Sequence, residues 1–106
     1  PGYEQKRFGP QEKRGRLRLI ASHDGRDGSL TIHQDVDLYA TLLSAGESVS
    51  HQVAPGRAAW VQVARGHGMG NGERREAGDG IAVSEADAIR LEGRDDAEAL
   101  VFDMAV

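Results

Sequence analysis

The chain of 106 residues has no cysteine. A disulfide framework, a thiolate metal site and a cysteine nucleophile are therefore excluded. Lysine is almost absent too, with Lys6 and Lys13 alone among thirteen basic residues. No apolar run exceeds about six residues, far short of the ~20 that a membrane span needs. The N-terminal residues are polar and basic, without the apolar segment of a signal peptide. A cytoplasmic protein without membrane association is the expectation. No stretch carries sustained helical periodicity, and no serine sits in a nucleophile-elbow context.

Charge is present but unevenly placed. The net formal charge is −4, yet residues 1–18 carry +4 and the remainder −8. A basic arm on an acidic body is one way to hold nucleic acid. Only Tyr3 and Phe8 interleave the arm's charges, and stacking on bases needs more than that. An arm lying on its own acidic domain, or on a neighbouring one, is the better reading, and no nucleic-acid partner is expected. The first fourteen residues, PGYEQKRFGPQEKR, have two prolines, two glycines and no period, and read as an arm or linker. The chain opens at Pro1 rather than methionine, as it would after initiator removal or as a domain of a longer protein.

Beyond residue 14 short apolar segments follow one another, separated by turn signals. RLRLIA (16–21) alternates, with Leu17 and Leu19 on one face. SLTIHQ (29–34) sets Leu30 and Ile32 against Thr31 and His33. DLYATLL (37–43), SVSHQVA (48–54), AAWVQVA (58–64), GIAVS (80–84), AIRLEG (88–93) and EALVFDMA (98–105) complete the set. Asn71-Gly72 predicts a type I′ hairpin turn. The segment before it, HGMG (67–70), is weakened as a strand by its glycines. Nine or ten strands with turns every 8 to 12 residues predict an antiparallel sandwich or barrel in one domain.

The resemblance these segments carry is to a known family. PGYEQKRF, EKRGRLRLIAS, DGRDGSLTIHQDVDLYATLL, APGRAAWVQVARG, the Asn71-Gly72 turn and AGDGIAVSE resemble the C-terminal domain of the bacterial pirin family. These two-cupin proteins are named quercetin 2,3-dioxygenases. The resemblance implies an all-β cupin fold, a double-stranded β-helix or jelly-roll barrel, at residues 15–106, with residues 1–14 as arm or inter-domain linker. It implies a catalytic N-terminal barrel holding a metal on three histidines and a glutamate. The partner would then be that barrel, or a second copy of this chain in a homodimer.

A metal-holding cupin spaces its first motif as Gly, five residues, His-x-His, three or four residues, Glu, six residues, Gly. Alternate strand positions point inward together, so this spacing makes the donors converge. With Gly66 as the last glycine, the glutamate position falls on Ala59. The histidine positions fall on Pro55 or Ala54 and on Val53 or Gln52. Anchored on Gly78, the second motif puts its Pro-x-Gly on Ser84 and Ala86 and its histidine on Ile89. None of these is a donor, so no catalytic, cofactor-binding or metal-ligating residue is assigned.

The remaining candidates are weaker. His51, at a strand start or barrel mouth, and His33, facing a neighbouring strand, are the histidines that could point inward, with Asp35 or Glu47. His23 and His67 read as solvated. Asp24 with Asp27, and Asp95 with Asp96, have too few oxygen donors for calcium and read as loop acids. Gly78-Asp79-Gly80 lacks the following helix of a phosphate loop and reads as a tight turn. Trp60, beside Val61 and Val63, is expected in the core. The leading expectation is a non-catalytic, metal-free cupin that supports a catalytic barrel or self-associates. A metal-independent barrel binding a small molecule in its interior, and a dioxygenase in its own right, stand as alternatives.

Overall fold

The structure is a computed structural model that describes residues 8–106. A helical turn, α1 (Pro10–Lys13), precedes ten strands. These are β1 (Arg18–Ser22), β2 (Leu30–Thr31), β3 (Val36–Leu43), β4 (Ser48–Gln52), β5 (Arg57–Arg65), β6 (His67–Gly70), β7 (Glu73–Glu76), β8 (Gly80–Val83), β9 (Ala88–Gly93) and β10 (Ala97–Ala105). A 3-10 turn, Arg26–Gly28, lies between β1 and β2. No helix among the described residues is long and apolar enough to cross a membrane.

The strands form two sheets. The larger runs β2-β1-β3-β10-β5-β8 and the smaller β4-β9-β6-β7. Every pairing is antiparallel except β1 with β2. The sheets pack face to face as a sandwich. Its core is Leu43, Val53, Ala59, Val61, Ile81, Val83, Ile89, Leu91, Ala99 and Val101. Period-two alternation places these residues: on β5, Ala59, Val61 and Val63 are buried while Trp60 stays exposed. Register lines the inner residues into a row across the sheet, Tyr39–Val101–Val61–Ile81. The smaller sheet answers with the cross-strand pairs Val49–Leu91 and His51–Ile89.

Turn chemistry holds the register. Asn71 and Gly72 both have positive φ (50° and 81°), the backbone of the expected type I′ turn. Asn71 also clips the hairpin tip to β9: its Oδ1 accepts from Arg90 N at 2.8 Å, and its Nδ2 donates to Ala88 O at 3.2 Å. The glycines of HGMG are explained by close packing rather than weak pairing. A Cβ on Gly68 would strike the Glu92 carbonyl, and one on Gly70 would lie 2.6 Å from Ile81 Cδ1. The β6 strand can approach β9 and the core only without those side chains.

Three expectations need correction. The segment 29–34 is a strand only at Leu30–Thr31, and His33 beyond it is exposed rather than facing a neighbouring strand. The pairing stops where β1 ends, with Ala21 opposite Leu30 and Ser22 opposite Thr31. Trp60 is not in the core. It lies on the outer face of β5 with 40% of its surface exposed, because its inward neighbours Ala59 and Val61 take the buried phase. Ile32, expected to share a strand face with Leu30, is half-buried and lies beyond the end of β2.

The N-terminal segment also proves more structured than an arm without period. Pro10–Lys13 is helical, with Pro10 in the first turn and Glu12 Oε2 accepting from Gly9 N at 3.2 Å. The segment is tied to the body by Lys13 Nζ to Glu98 Oε2 (3.4 Å), Arg18 Nε to Glu12 Oε1 (3.4 Å) and Gly15 N donating to Leu42 O (2.8 Å). Arg18 also lies 4.9 Å over the Phe8 ring. Lys13 therefore meets an acid of its own domain. Residues 1–7, with Lys6 and Arg7, fall outside the described residues.

Candidate functional site

The strand β4 decides what a metal would meet in the barrel. Ser48, Ser50 and Gln52 point outward and are exposed, while Val49, His51 and Val53 point inward. The inward pair two residues apart is thus His51 and Val53. His51 is not at the start of the strand but its fourth residue, in the inward phase. It stands directly across from Ile89 on β9. Val53 is 0% exposed, Ile89 1% and Ala59 4%, and all three belong to the hydrophobic core. Gln52, Ala54 and Pro55, the alternative positions, are exposed.

One histidine therefore faces a position that otherwise offers methyl groups. Among the described residues no group of three or more His, Asp or Glu side chains is placed to hold a metal ion. A catalytic centre needs at least three converging nitrogen or oxygen donors. The residues present do not fit one. His33 and Glu47 do not join His51: His33 is exposed, and Glu47 Oε1 accepts from Ser44 N at 2.7 Å in the β3–β4 turn.

What His51 meets instead is an ionic network at the sandwich mouth. Its Nε2 lies 2.6 Å from Asp103 Oδ2, and with that carboxylate ionised the imidazole is the donor. Asp103 is 5% exposed on the inner face of β10. Its other oxygen accepts from Arg57 Nε at 2.5 Å, and Arg57 Nη2 donates to its backbone carbonyl at 3.0 Å. Arg57 Nη1 reaches on to Asp35 Oδ1 at 2.9 Å. The carboxylate of Asp103, and then that of Asp35, hold the Arg57 guanidinium above its ordinary range. The ring of Tyr39 lies 5.1 Å from that of His51. Burial, then the charge of Asp37, pushes the Tyr39 phenol above its ordinary value. Asp37 is held by Arg26 Nη2 at 2.8 Å, which raises the arginine further.

This network spans the two sheets: His51 belongs to the smaller, and Asp103, Arg57 and Tyr39 to the larger. Its charges are mutually paired, so it clamps the sandwich rather than presenting an open reactive group. Sequence reasoning found His51 and Asp35 but missed Asp103. The signal was there: Asp103 is in phase with Ala99 and Val101, so the alternation that buries those two buries it as well.

A half-open pocket between Leu43, Val63, Gly68, Met69, Leu91 and Glu92 measures about 20 Å³. That is space for one water molecule, not for an aromatic ligand. The loop candidates are turns. Asp24 Oδ1 accepts from Ser22 Oγ (3.1 Å) and Arg26 Nη1 (3.1 Å), and Asp95 Oδ1 accepts from Asp96 N (2.9 Å). Asp79 Oδ2 accepts from Glu76 N at 2.8 Å, closing the turn at Gly78-Asp79-Gly80. His67 lies on β6 in the β6–β7 hairpin, with Nδ1 3.7 Å from Asp95 Oδ2.

The outer faces of the two sheets differ. On the larger sheet, register aligns Leu38, Phe102, Trp60 and Ala82 in one outward row, with Val36, Met104 and Ala58 in the next. Trp60 lies flat over Gly80, where any Cβ would strike its ring, and its Nε1 donates to Gln62 Oε1 at 3.2 Å. On the smaller sheet the outward residues include Ser50, Gln52, Arg90, Glu92, Arg74 and Glu76.

Comparison with known proteins agrees with this geometry. Residues 19–104 match the family model described as the quercetinase C-terminal cupin domain. The chain is 39% identical over 104 residues to quercetin 2,3-dioxygenase of Escherichia coli K12, covering 98% of this chain and 44% of that protein. It is 34% identical to a putative quercetin 2,3-dioxygenase of Pseudomonas aeruginosa, over 99% of this chain and 46% of that protein. The crystal structure of the bacterial pirin YhhW from Escherichia coli in complex with nickel(II) superposes with a TM-score of 0.85 at 39% identity. That match covers 96% of this chain and 43% of the YhhW chain. The chain thus spans less than half the length of these relatives.

Proposed function

This chain belongs to the quercetinase C-terminal cupin domain family, and on that premise we propose that it is the non-catalytic, metal-free half of a two-cupin protein. Its role is to support a catalytic barrel. The observation that carries this reading is the apolar filling of the metal position. Val53, Ala59 and Ile89 stand in the core where donors would have to converge. A side chain cannot both pack there and ligate. The paired network of His51, Asp103 and Arg57 takes over the task of joining the two sheets.

The short span relative to the relatives supports a partner barrel: more than half of each relative's length lies outside the matched region. Against a metal-independent ligand site inside the sandwich stands its packed core, where Val53, Val61, Ile89 and Val101 are each at most 1% exposed. The pairing of Lys13 with Glu98 favours an arm that lies on its own domain over one that binds nucleic acid. A cytoplasmic location belongs to the same reading.

Elemental analysis tests it. The purified chain, exposed to nickel, iron, copper and zinc and then desalted, should retain well under one ion per molecule. One tightly held ion per chain would overturn the proposal. So would sustained oxygen uptake by the chain with quercetin and added iron.

A further inference from the structure

We infer that the outer face of the six-stranded sheet is the surface on which the partner barrel docks, with Trp60 as its anchor. The inference rests on the two-barrel reading above and adds to it the surface and its central residue.

The face is apolar where a free surface has no reason to be. Leu38, Phe102, Trp60 and Ala82 form one continuous row from β3 across β10 and β5 to β8, and Val36 and Met104 extend it. Trp60 is 40% exposed, and Val36, Leu38, Phe102 and Met104 are half-buried. Scattered apolar residues on a surface mean little, but a contiguous strip marks an interaction site. Trp60 is also held in place before any partner arrives. Gly80 leaves room for its ring to lie on the sheet, and Gln62 fixes its indole nitrogen. A rigid aromatic with little rotamer freedom to lose is the type of residue that dominates interface energies.

The occupant is a second barrel with an apolar sheet face of its own. Two features point to it. The relatives carry more than half their length outside the region this chain matches, enough for another domain of this size. The segment from Phe8 to Arg14 lies across one end of this same face. Its tethers, Lys13 to Glu98 and Glu12 to Arg18, both fall on outward positions of the large sheet by register. A barrel joined through that segment is delivered beside the strip, and the polar smaller sheet is on the far side.

Hydroxyl-radical footprinting distinguishes the possibilities. It is run on this chain alone and on a chimera in which the chain replaces the matched region of Escherichia coli quercetin 2,3-dioxygenase. In the chimera, oxidation of Trp60, Phe102 and Met104 should slow about fivefold or more, because a docked partner excludes water from its anchor. Met69 and His67, outward on the smaller sheet, should not change. Trp60→Glu in the chimera should restore the fast rate at Met104, while Arg90→Glu should leave it slow. Protection of Met69 and His67 instead would overturn the docking face and leave the two-barrel reading intact. No protection on either face would sink both. A chain that alone forms a dimer protecting Trp60 would make a second copy the occupant and overturn the assignment. A chimera that cannot be recovered folded would count against the complementarity of the faces.

Discussion

On the four-stranded sheet, β4 and β9 alternate between polar and apolar residues, apart from the inward His51 and the outward Ala88. Ser48, Ser50 and Gln52 meet solvent while Val49 and Val53 enter the core, and Arg90 and Glu92 bracket the buried Leu91. On the six-stranded sheet, β10 reads Ala-Leu-Val-Phe from 99 to 102 and β5 reads Ala-Ala-Trp-Val from 58 to 61. Alternation is the signature of a sheet with one wet face, whereas an unbroken apolar run belongs to a strand covered on both sides. The two sheets share a core yet differ in what their backs are built to face. The smaller turns a mostly polar back outward, and the larger carries the apolar strip to which the proposed docking is assigned.

Removing the link between them should have the largest effect. Asp103→Ala leaves Arg57 and the inward His51 without their carboxylate, and breaking a buried ion pair from one side costs about 4 kcal/mol. Urea denaturation at neutral pH measures the loss. A cost under about 1 kcal/mol would mean that the pair is effectively solvated and does not join the sheets. Ile89→Ala comes next, at about 3 kcal/mol, since it opens a hole at a residue only 1% exposed. Its neighbour Arg90 points the other way, and Arg90→Ala should change stability by no more than about 0.5 kcal/mol. Equal costs at 89 and 90 would contradict the one-sided character of this sheet.

Much of this comparison was legible in the residues. The strands of both sheets follow from alternation and turn signals, and Asn71-Gly72 sits where a type I′ turn had to be. That positions 59 and 89 carry apolar side chains can be counted in the sequence, and both lie in the core. Three things were not legible. The valines around Trp60 point to a core position that it does not occupy. In a run that is apolar at every position, period two does not say which phase faces inward. The partner of His51 lies 52 residues away, and no local rule couples β4 to β10. The segment at 29–34 is a strand only where β1 offers a partner, at Ala21 and Ser22, and that pairing is a tertiary contact.

The seat of Trp60 offers a smaller effect on the larger sheet. Gly80→Ala pushes a methyl group into the ring and should cost about 2 kcal/mol through overpacking. It should also shift the emission of this single tryptophan, since the ring must leave the sheet. In a Trp60→Ser background the same change should be nearly neutral, because the clash has been removed. A cost that persists without the tryptophan would place the constraint in the backbone of β8 and remove the case for a preset anchor.

The smallest effect lies at the mouth, where the larger sheet meets the smaller through Tyr39 and His51. Burial and the charge of Asp37 raise the Tyr39 phenol above its ordinary value, which is about 10 in an unfolded chain. The neutral phenol is thus favoured in the folded state. The stability it contributes is fully present below the unfolded value and is lost as pH rises through the higher folded one. The chain has two tyrosines, Tyr3 and Tyr39, so Tyr3→Phe isolates the signal. Absorbance at 295 nm should then show one transition above pH 10 in the folded protein, moving down when denaturant is added. A folded transition at or below the unfolded one would mean that water reaches the phenol freely and that the mouth is open. The clamp between the sheets would then end at His51 and Asp103, without the aromatic contact that now covers it.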